Sequence, residues 1–156
     1  MTILPREFYS KDTVTVARNL LGKKIIRKIG RYEISGIITE TEAYRHKDDP
    51  ASHAFGKITD RNKIMFEEVG SAYVYFTYGM YFCFNVVARA PKKAAGAVLI
   101  RAIEPEKGIN IMQKNRRKTD LKNLTNGPAK TCLRPSSSPY LLYFSNISGS
   151  INSFTG

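Results

Sequence analysis

The sequence predicts a single domain in which short α-helices accompany β-strands, and three observations support this. A length of 156 residues suits one domain and allows burial of roughly two-thirds of the surface that the unfolded chain exposes. Hydrophobic residues at 42% and charged residues at 24% lie near the averages of soluble globular proteins. Apolar residues follow helical spacing in some segments and strand-like spacing in others.

The first predicted elements are a helix and a β-hairpin. Residues 11–22 have an apolar face at helical spacing, and Asp12 can cap the N-terminus of that helix. Strand-like stretches follow at 23–28 and 32–42, and Gly30 between them predicts the turn of a hairpin.

The middle of the chain predicts a functional loop followed by further strands. Residues 43–61 are polar and too long for a simple connection, which favours a functional loop. Thr59 or Asp60 is expected to cap a short helix that ends at Phe66. Residues 72–88 hold seven aromatic side chains, most of which we expect to fill the core.

Beyond this run, residues 98–103 predict a buried strand. A basic helix is expected from Pro105 to about Arg117, because proline suits the first helical position. Gly127-Pro128 predicts the start of one more helix. Residues 133–156 contain seven serines and a single charge, which leaves three explanations open: a non-native or frame-shifted end, a flexible terminus, or a strand pair around residues 140–151.

The net charge of +12 and pI near 9.8 favour a polyanionic partner, with nucleic acid first, because each neutralised phosphate releases counterions. A merely basic surface is the alternative. The candidate phosphate contacts, which the alternative assigns to a solvated helix face or surface, are Arg61, Lys114, Arg116, Arg117 and Lys118.

We expect no metal, no cofactor and no membrane segment. Two cysteines and two histidines lack metal-ligand spacing, so reduced thiols are expected. The N-terminus lacks an apolar run of signal length, and no segment approaches the roughly 20 apolar residues of a membrane helix. The sequence therefore predicts a soluble intracellular protein of the cytoplasm, nucleoid or nucleus.

Carboxylates near the end of the second strand are candidates for general-base chemistry. Of Glu40, Glu42, Asp48 and Asp49, Glu42 stands out because it ends the strand beside the polar loop, where a side chain can face a cleft. One carboxylate suffices to activate water and stabilise the cationic sugar when a nucleoside C–N bond breaks. A solvated strand end is the alternative.

Aromatic side chains offer flat faces for stacking a base, worth about 1–3 kcal/mol per base. Tyr44, His53 and Tyr75 could form such a cage, with core packing or a structural histidine as the alternatives. Tyr78 suits a turn tip that wedges into duplex DNA, or else is buried. Arg101 lies in an apolar run and needs a partner: either a structural salt bridge, or a catalytic water or phosphate.

Six segments of the sequence resemble the alkyladenine (3-methyladenine) DNA glycosylases. They are GIITETEAY (36–44), SHAF (52–55), TDRNKIMF (59–66), YVYFTYGMYFCFNVV (73–87), AVLIRAIEP (97–105) and NGPAK (126–130). The resemblance implies a single compact α+β domain around a curved antiparallel sheet with short flanking helices, acting as a monomer without metal or cofactor.

The resemblance also implies roles for individual residues. Glu42 would activate the attacking water, and Arg101 would help to position that water and the carboxylate. Tyr44, His53 and Tyr75 would hold the flipped base.

Three further residues would act on DNA and on base selection. Tyr78 would intercalate from the minor groove with Met80 nearby, and Asn85 on the pocket wall would disfavour the amino group of normal guanine. The predicted function is release of alkylated purines from damaged double-stranded DNA, 3-methyladenine first, with hypoxanthine and ethenoadenine as further candidates. The alternatives are an inactive protein that binds damaged DNA and a basic RNA-binding domain.

The resemblance covers residues 1–132 and stops at the serine-rich tail, residues 133–156. Family members continue with strands and pocket-wall residues, of which YLLYFSNISGS (140–150) is a faint echo. We therefore expect this chain to lack part of the family's pocket and DNA-binding surface.

Overall fold

The computed structural model of the chain describes residues 2–77, 81–117, 119–121, 123–127 and 141–146. In these residues one six-stranded sheet has the order β3-β4-β5-β2-β1-β6, and its paired strands are antiparallel. This confirms the α+β domain. The elements are α1 (Thr13–Leu20), β1 (Lys24–Ile29), β2 (Tyr32–Tyr44), β3 (Ala72–Thr77), β4 (Tyr81–Val87), β5 (Ala97–Lys107), α2 (Ile109–Arg116) and β6 (Leu141–Ser145), with 3-10 helices at Arg6–Tyr9 and Lys63–Phe66.

The predicted first helix and hairpin are both confirmed. The Asp12 carboxylate accepts hydrogen bonds from the N–H groups of Val14 and Thr15 at 3.1 and 3.3 Å, a cap worth about 1 kcal/mol. Strands β1 and β2 pair in register from Lys24 opposite Ile37 to the turn, where Gly30 has a left-handed φ of +55°.

Helix α1 and the two faces of the sheet produce two hydrophobic clusters. Successive residues of a strand point to opposite faces, so Val86 joins one cluster and Val87 joins the other. The main core contains Leu4, Tyr9, Val16, Ala17, Leu20, Ile34, Ile38, Phe84, Val86, Ala88, Val98, Ile100, Ile103, Met112, Leu124 and Phe144. The small core contains Ala54, Met65, Tyr73, Val87, Ala95 and Ala97.

The prediction that Pro105 starts a helix was wrong. Pro105 lies within β5 opposite Gly36, beside a register shift in the pairing with β2. The pairs of β5 with β4 reach only Leu99, so a residue without an N–H is tolerated in this part of the strand. The chain turns at Gly108, whose φ is +71°, and α2 begins at Ile109.

The helix expected near Thr59 is shorter than predicted. It is a 3-10 helix that begins at Lys63 and follows a turn at Asn62. The helix expected at Gly127-Pro128 lies outside the described residues beyond Gly127.

Part of the serine-rich tail forms an edge strand of the sheet. Strand β6 pairs with β1, and the carbonyl of Phe144 accepts a hydrogen bond from the N–H of Leu4 at 2.8 Å. The Phe144 ring lies 6.0 Å from the rings of both Tyr9 and Phe84 in the main core. One strand of the expected pair is therefore present at residues 141–145.

Among the described residues, no helix combines the length and the apolar character needed to cross a bilayer.

Candidate active site

The pairing of β2 with β5 is irregular beside the predicted catalytic residues. Two register shifts flank Glu40, which pairs with Ala102, while the next residue of β2 pairs with Ile100. Arg101 is thus the extra residue of β5 in a β-bulge. Bulges re-aim side chains and are common next to active sites.

This bulge exchanges the faces to which β2 directs its side chains. Before it, Ile34 and Ile38 point into the main core. After it, Thr41 faces that side, since its hydroxyl donates to a carbonyl of α1 at 2.9 Å. Glu42 and Tyr44 consequently face the other side of the sheet, where Tyr44 packs against the small core.

Glu42 is held by two donors on this face. The Tyr44 hydroxyl donates to Oε2 of Glu42 at 2.5 Å, and Nη1 of Arg101 donates to Oε1. Arg101 also lies beside Glu40, with Nε 3.3 Å from its Oε2 in an ion pair that lacks hydrogen-bond geometry. The guanidinium therefore links two carboxylates, and Glu42, with 33% of its side chain exposed, is reached by solvent.

The surroundings of Glu42 favour its ionised form. Desolvation raises the pKa of this carboxyl, but the hydrogen bonds from Tyr44 and Arg101 and the charge of Arg101 outweigh it and leave the pKa below its ordinary value. Burial, together with the bond to Glu42, raises the pKa of Tyr44 to about 12, so Tyr44 stays a donor at neutral pH. Glu42 is thus an anion that can accept a proton.

An aromatic pocket adjoins this carboxylate through Tyr44. The His53 ring lies 4.6 Å from the Tyr75 ring at 71°, and its Nδ1 lies 2.9 Å from the Tyr73 hydroxyl. Tyr73 and Tyr75 point to the same face because they are two residues apart in β3. The cavity measures about 70 Å³ and is lined by Tyr44, Ala51, His53, Met65, Tyr73, Tyr75 and Asn85.

Asn85 lies at the buried wall of this pocket. It is 2% exposed, and its Nδ2 donates to the carbonyl of Tyr73 at 3.1 Å across the β3–β4 pair. This bond fixes the orientation of the carboxamide at the pocket lining.

Arg61 lies at the pocket, where the sequence predicted a phosphate contact. Its guanidinium carbon is 5.2 Å from the centre of the Tyr75 ring, within cation–π range. Desolvation lowers the pKa of His53, and the charge of Arg61 lowers it further. His53 is therefore neutral at physiological pH.

Six of the predicted residues come together on one face of the sheet: Glu42, Arg101, Tyr44, His53, Tyr75 and Asn85. Helix α2 instead packs through Met112 into the main core, with Lys114 and Arg117 exposed and Arg116 donating to the carbonyl of Leu124 at 2.9 Å. Tyr78, Met80 and Lys118 lie outside the described residues.

Sequence reasoning missed Tyr73 as a pocket residue. Its hydroxyl contacts His53 and its ring lies 5.3 Å from that of Tyr75. Strand alternation carried the signal, because a pocket that uses Tyr75 of a strand also uses the residue two positions away.

In the part of the chain that the structure describes, no three His, Cys, Asp or Glu side chains lie close enough to hold a metal ion.

Comparison with known sequences agrees with this arrangement. The sequence model of the family described as "Methylpurine-DNA glycosylase (MPG)" matches residues 7–134. The chain belongs to the methylpurine-DNA glycosylase family. This confirms the resemblance found in the six sequence segments, and the match contains all six residues of the methylpurine-DNA glycosylase pocket and carboxylate named above.

Several curated relatives are named "Putative 3-methyladenine DNA glycosylase". One from Carboxydothermus hydrogenoformans is 50% identical over 82% of this chain and 66% of its own length. One from Clostridium acetobutylicum is 48% identical over 83% of this chain and 67% of its own, and one from Bacillus cereus is 49% identical over 82% and 65%. The chain thus spans about two-thirds of the length of these relatives.

Proposed function

We propose that the chain releases alkylated purines, with 3-methyladenine first, from damaged double-stranded DNA. The observation that carries this proposal is Glu42, an ionised carboxylate held by Tyr44 and Arg101 at the edge of an aromatic pocket. The family membership and the names of the relatives support the same reaction.

In the proposed reaction the damaged nucleotide leaves the base stack, and its base enters the pocket. Tyr44, His53 and Tyr75 supply aromatic faces for stacking, each worth about 1–3 kcal/mol per base. The net charge of +12 attracts the DNA backbone. Tyr78 and Met80 keep their proposed place at the DNA on sequence grounds, as do the phosphate contacts of Lys114, Arg116, Arg117 and Lys118.

The chemistry is displacement of the base by water. The C–N bond electrons leave with the base while the water oxygen bonds to the anomeric carbon, and Glu42 accepts the proton of that water. The Glu42 anion also stabilises the positive charge that develops on the sugar. A cationic alkylated purine leaves as a neutral base, so it needs no proton from the neutral His53.

The test is single-turnover release of 3-methyladenine from methylated duplex DNA by the 156-residue chain. Free base and an alkali-labile abasic site are the expected products. Lesion-specific binding without release would make the chain a damaged-DNA-binding protein. Equal binding to RNA and undamaged DNA, again without release, would favour a general nucleic-acid-binding domain.

We expect Tyr44→Phe to move the acid limb of the pH–rate profile to higher pH. The lowered pKa of Glu42 keeps the carboxylate ionised into mildly acidic solution, so the wild-type rate falls only below the ordinary range of a glutamate. Removing the Tyr44 hydroxyl removes one of the hydrogen bonds that lower this pKa, while desolvation remains. Single-turnover rates between pH 4 and 8, a range of about four units around the glutamate pKa, measure the shift.

Tyr32→Phe is the control for this experiment. Tyr32 is 50% exposed, and its hydroxyl accepts only a 3.3 Å hydrogen bond from Arg31 among the printed side-chain contacts. Its loss should leave the profile unchanged. An acid limb that stays in place in Tyr44→Phe would show that Tyr44 does not set the ionisation of Glu42.

A further inference from the structure

The segment that brings His53 to the pocket has no regular secondary structure. Residues 45–62 run from the end of β2 to the 3-10 helix at Lys63–Phe66 as turns and bends. Loops of this length without helix or strand are uncommon in compact domains and are usually functional. Something must therefore hold the backbone of this loop in place.

The side chain of Asn62 holds it. Asn62 is 3% exposed, and its Nδ2 donates to the carbonyl oxygens of His53 at 2.7 Å and Lys57 at 3.0 Å. Its Oδ1 accepts from the N–H of Thr59 at 2.7 Å. A carboxamide has two N–H donors and one oxygen acceptor, so Asn62 directs every one of these groups at the loop backbone.

Asn62 is itself fixed to a packed part of the domain. It directly precedes the 3-10 helix, in which Met65 is 1% exposed and belongs to the small core. The carbonyl of Met65 accepts a hydrogen bond from the N–H of Gly96 at 3.4 Å. At the other end of the loop, His53 contacts the Tyr73 hydroxyl and the Tyr75 ring.

We propose that Asn62 is a positioning residue, which fixes the backbone of the loop 53–59 and thereby holds His53 against Tyr73 and Tyr75 for stacking of the base. Asn62 does not line the cavity and acts only through His53. The inference rests on the proposed function, because the base that His53 contacts is the substrate of that reaction. An aspartate keeps the acceptor for Thr59 but loses both donors.

The first test compares Asn62→Ala and Asn62→Asp with the wild type in single-turnover base release at saturating enzyme. We expect both variants to be slower by about 10- to 100-fold, since a misplacement of about 1 Å costs up to about 100-fold in rate. Binding to a duplex with an abasic-site analogue should stay unchanged, because no base occupies the pocket. If Asn62→Ala does not fold, Asn62→Asp, which retains one of the three hydrogen bonds, decides the question.

Thr125→Val is the matched control. Thr125 is 4% exposed, and its hydroxyl donates to the carbonyl of Ile103 at 2.6 Å, away from the pocket lining. It should therefore lose stability comparably while keeping the wild-type rate. An equal loss of rate in Thr125→Val would assign the Asn62 effect to stability alone and overturn the proposal.

A second test needs no activity. The chain has two histidines, so NMR titration of the ring signals follows His53 with His46 as an internal reference. The pKa of His53 lies below its ordinary value through desolvation and the charge of Arg61, and in Asn62→Ala it should rise toward that value as the loop loosens. Unchanged His53 titration with wild-type base release overturns the role of Asn62. A wild type that releases no base refutes the proposed function instead, and the titration still decides whether Asn62 fixes His53.

Discussion

Glu42→Gln should reduce single-turnover release of 3-methyladenine by about 100- to 10,000-fold, the range that general-base catalysis contributes. The amide fills the same space and can still accept the Tyr44 hydrogen bond, but it carries no negative charge and takes no proton from water. Binding of lesion-containing DNA should persist, because the aromatic pocket is unchanged. Rapid-quench measurement of free base, beside an equilibrium binding assay, separates the two effects.

Glu33→Gln is the control for this substitution. Glu33 lies in the same strand, forms an ion pair with Lys107 at 3.2 Å, and has 34% of its side chain exposed against 33% for Glu42. Its rate should match that of the wild type. Undiminished release by Glu42→Gln would remove Glu42 as the base and would point to another group that activates water.

Phe144→Ala should lower the free energy of unfolding by about 3–5 kcal/mol, as removal of a buried phenylalanine does. The ring is 6% exposed and contacts Tyr9 and Phe84 in the main core. Total stabilities of domains are about 5–15 kcal/mol, so this single change removes a large part of it. Urea unfolding, read from the midpoint at unchanged slope, measures the loss.

Phe55→Ala is the comparison, since Phe55 is 47% exposed and its removal leaves no buried cavity. A Phe144 variant no less stable than Phe55→Ala would show that β6 does not belong to the folded core. The result matters because β6 lies beyond residue 134, where the family match ends.

Local chemistry made the first elements predictable. Asp12 caps α1 and Gly30 turns the hairpin through interactions within a few residues of sequence. Pro105 misled the prediction because proline suits either a helix start or an irregular part of a strand. Only the position of β5 beside β2 and beyond its pairing with β4 decides between them.

The candidate site was predictable where it lies on one strand. Glu42 and Tyr44 are two residues apart, so a shared face follows from strand geometry. The bulge at Arg101 depends on how β2 and β5 pair, which the sequence of neither strand reveals alone. The bonds of Asn62 to a loop also form only after the chain has folded back on itself.

The bulge at Arg101 has a consequence for how this family can diversify. It separates β2 into a portion before Glu40, which serves the main core, and a portion after it, which serves the catalytic face. Changes at Ile34 or Ile38 are thereby insulated from the orientation of Glu42. Evolution or protein engineering can then adjust the thermal stability of the scaffold and the chemistry of its pocket in separate steps, as long as the irregular pairing itself is kept.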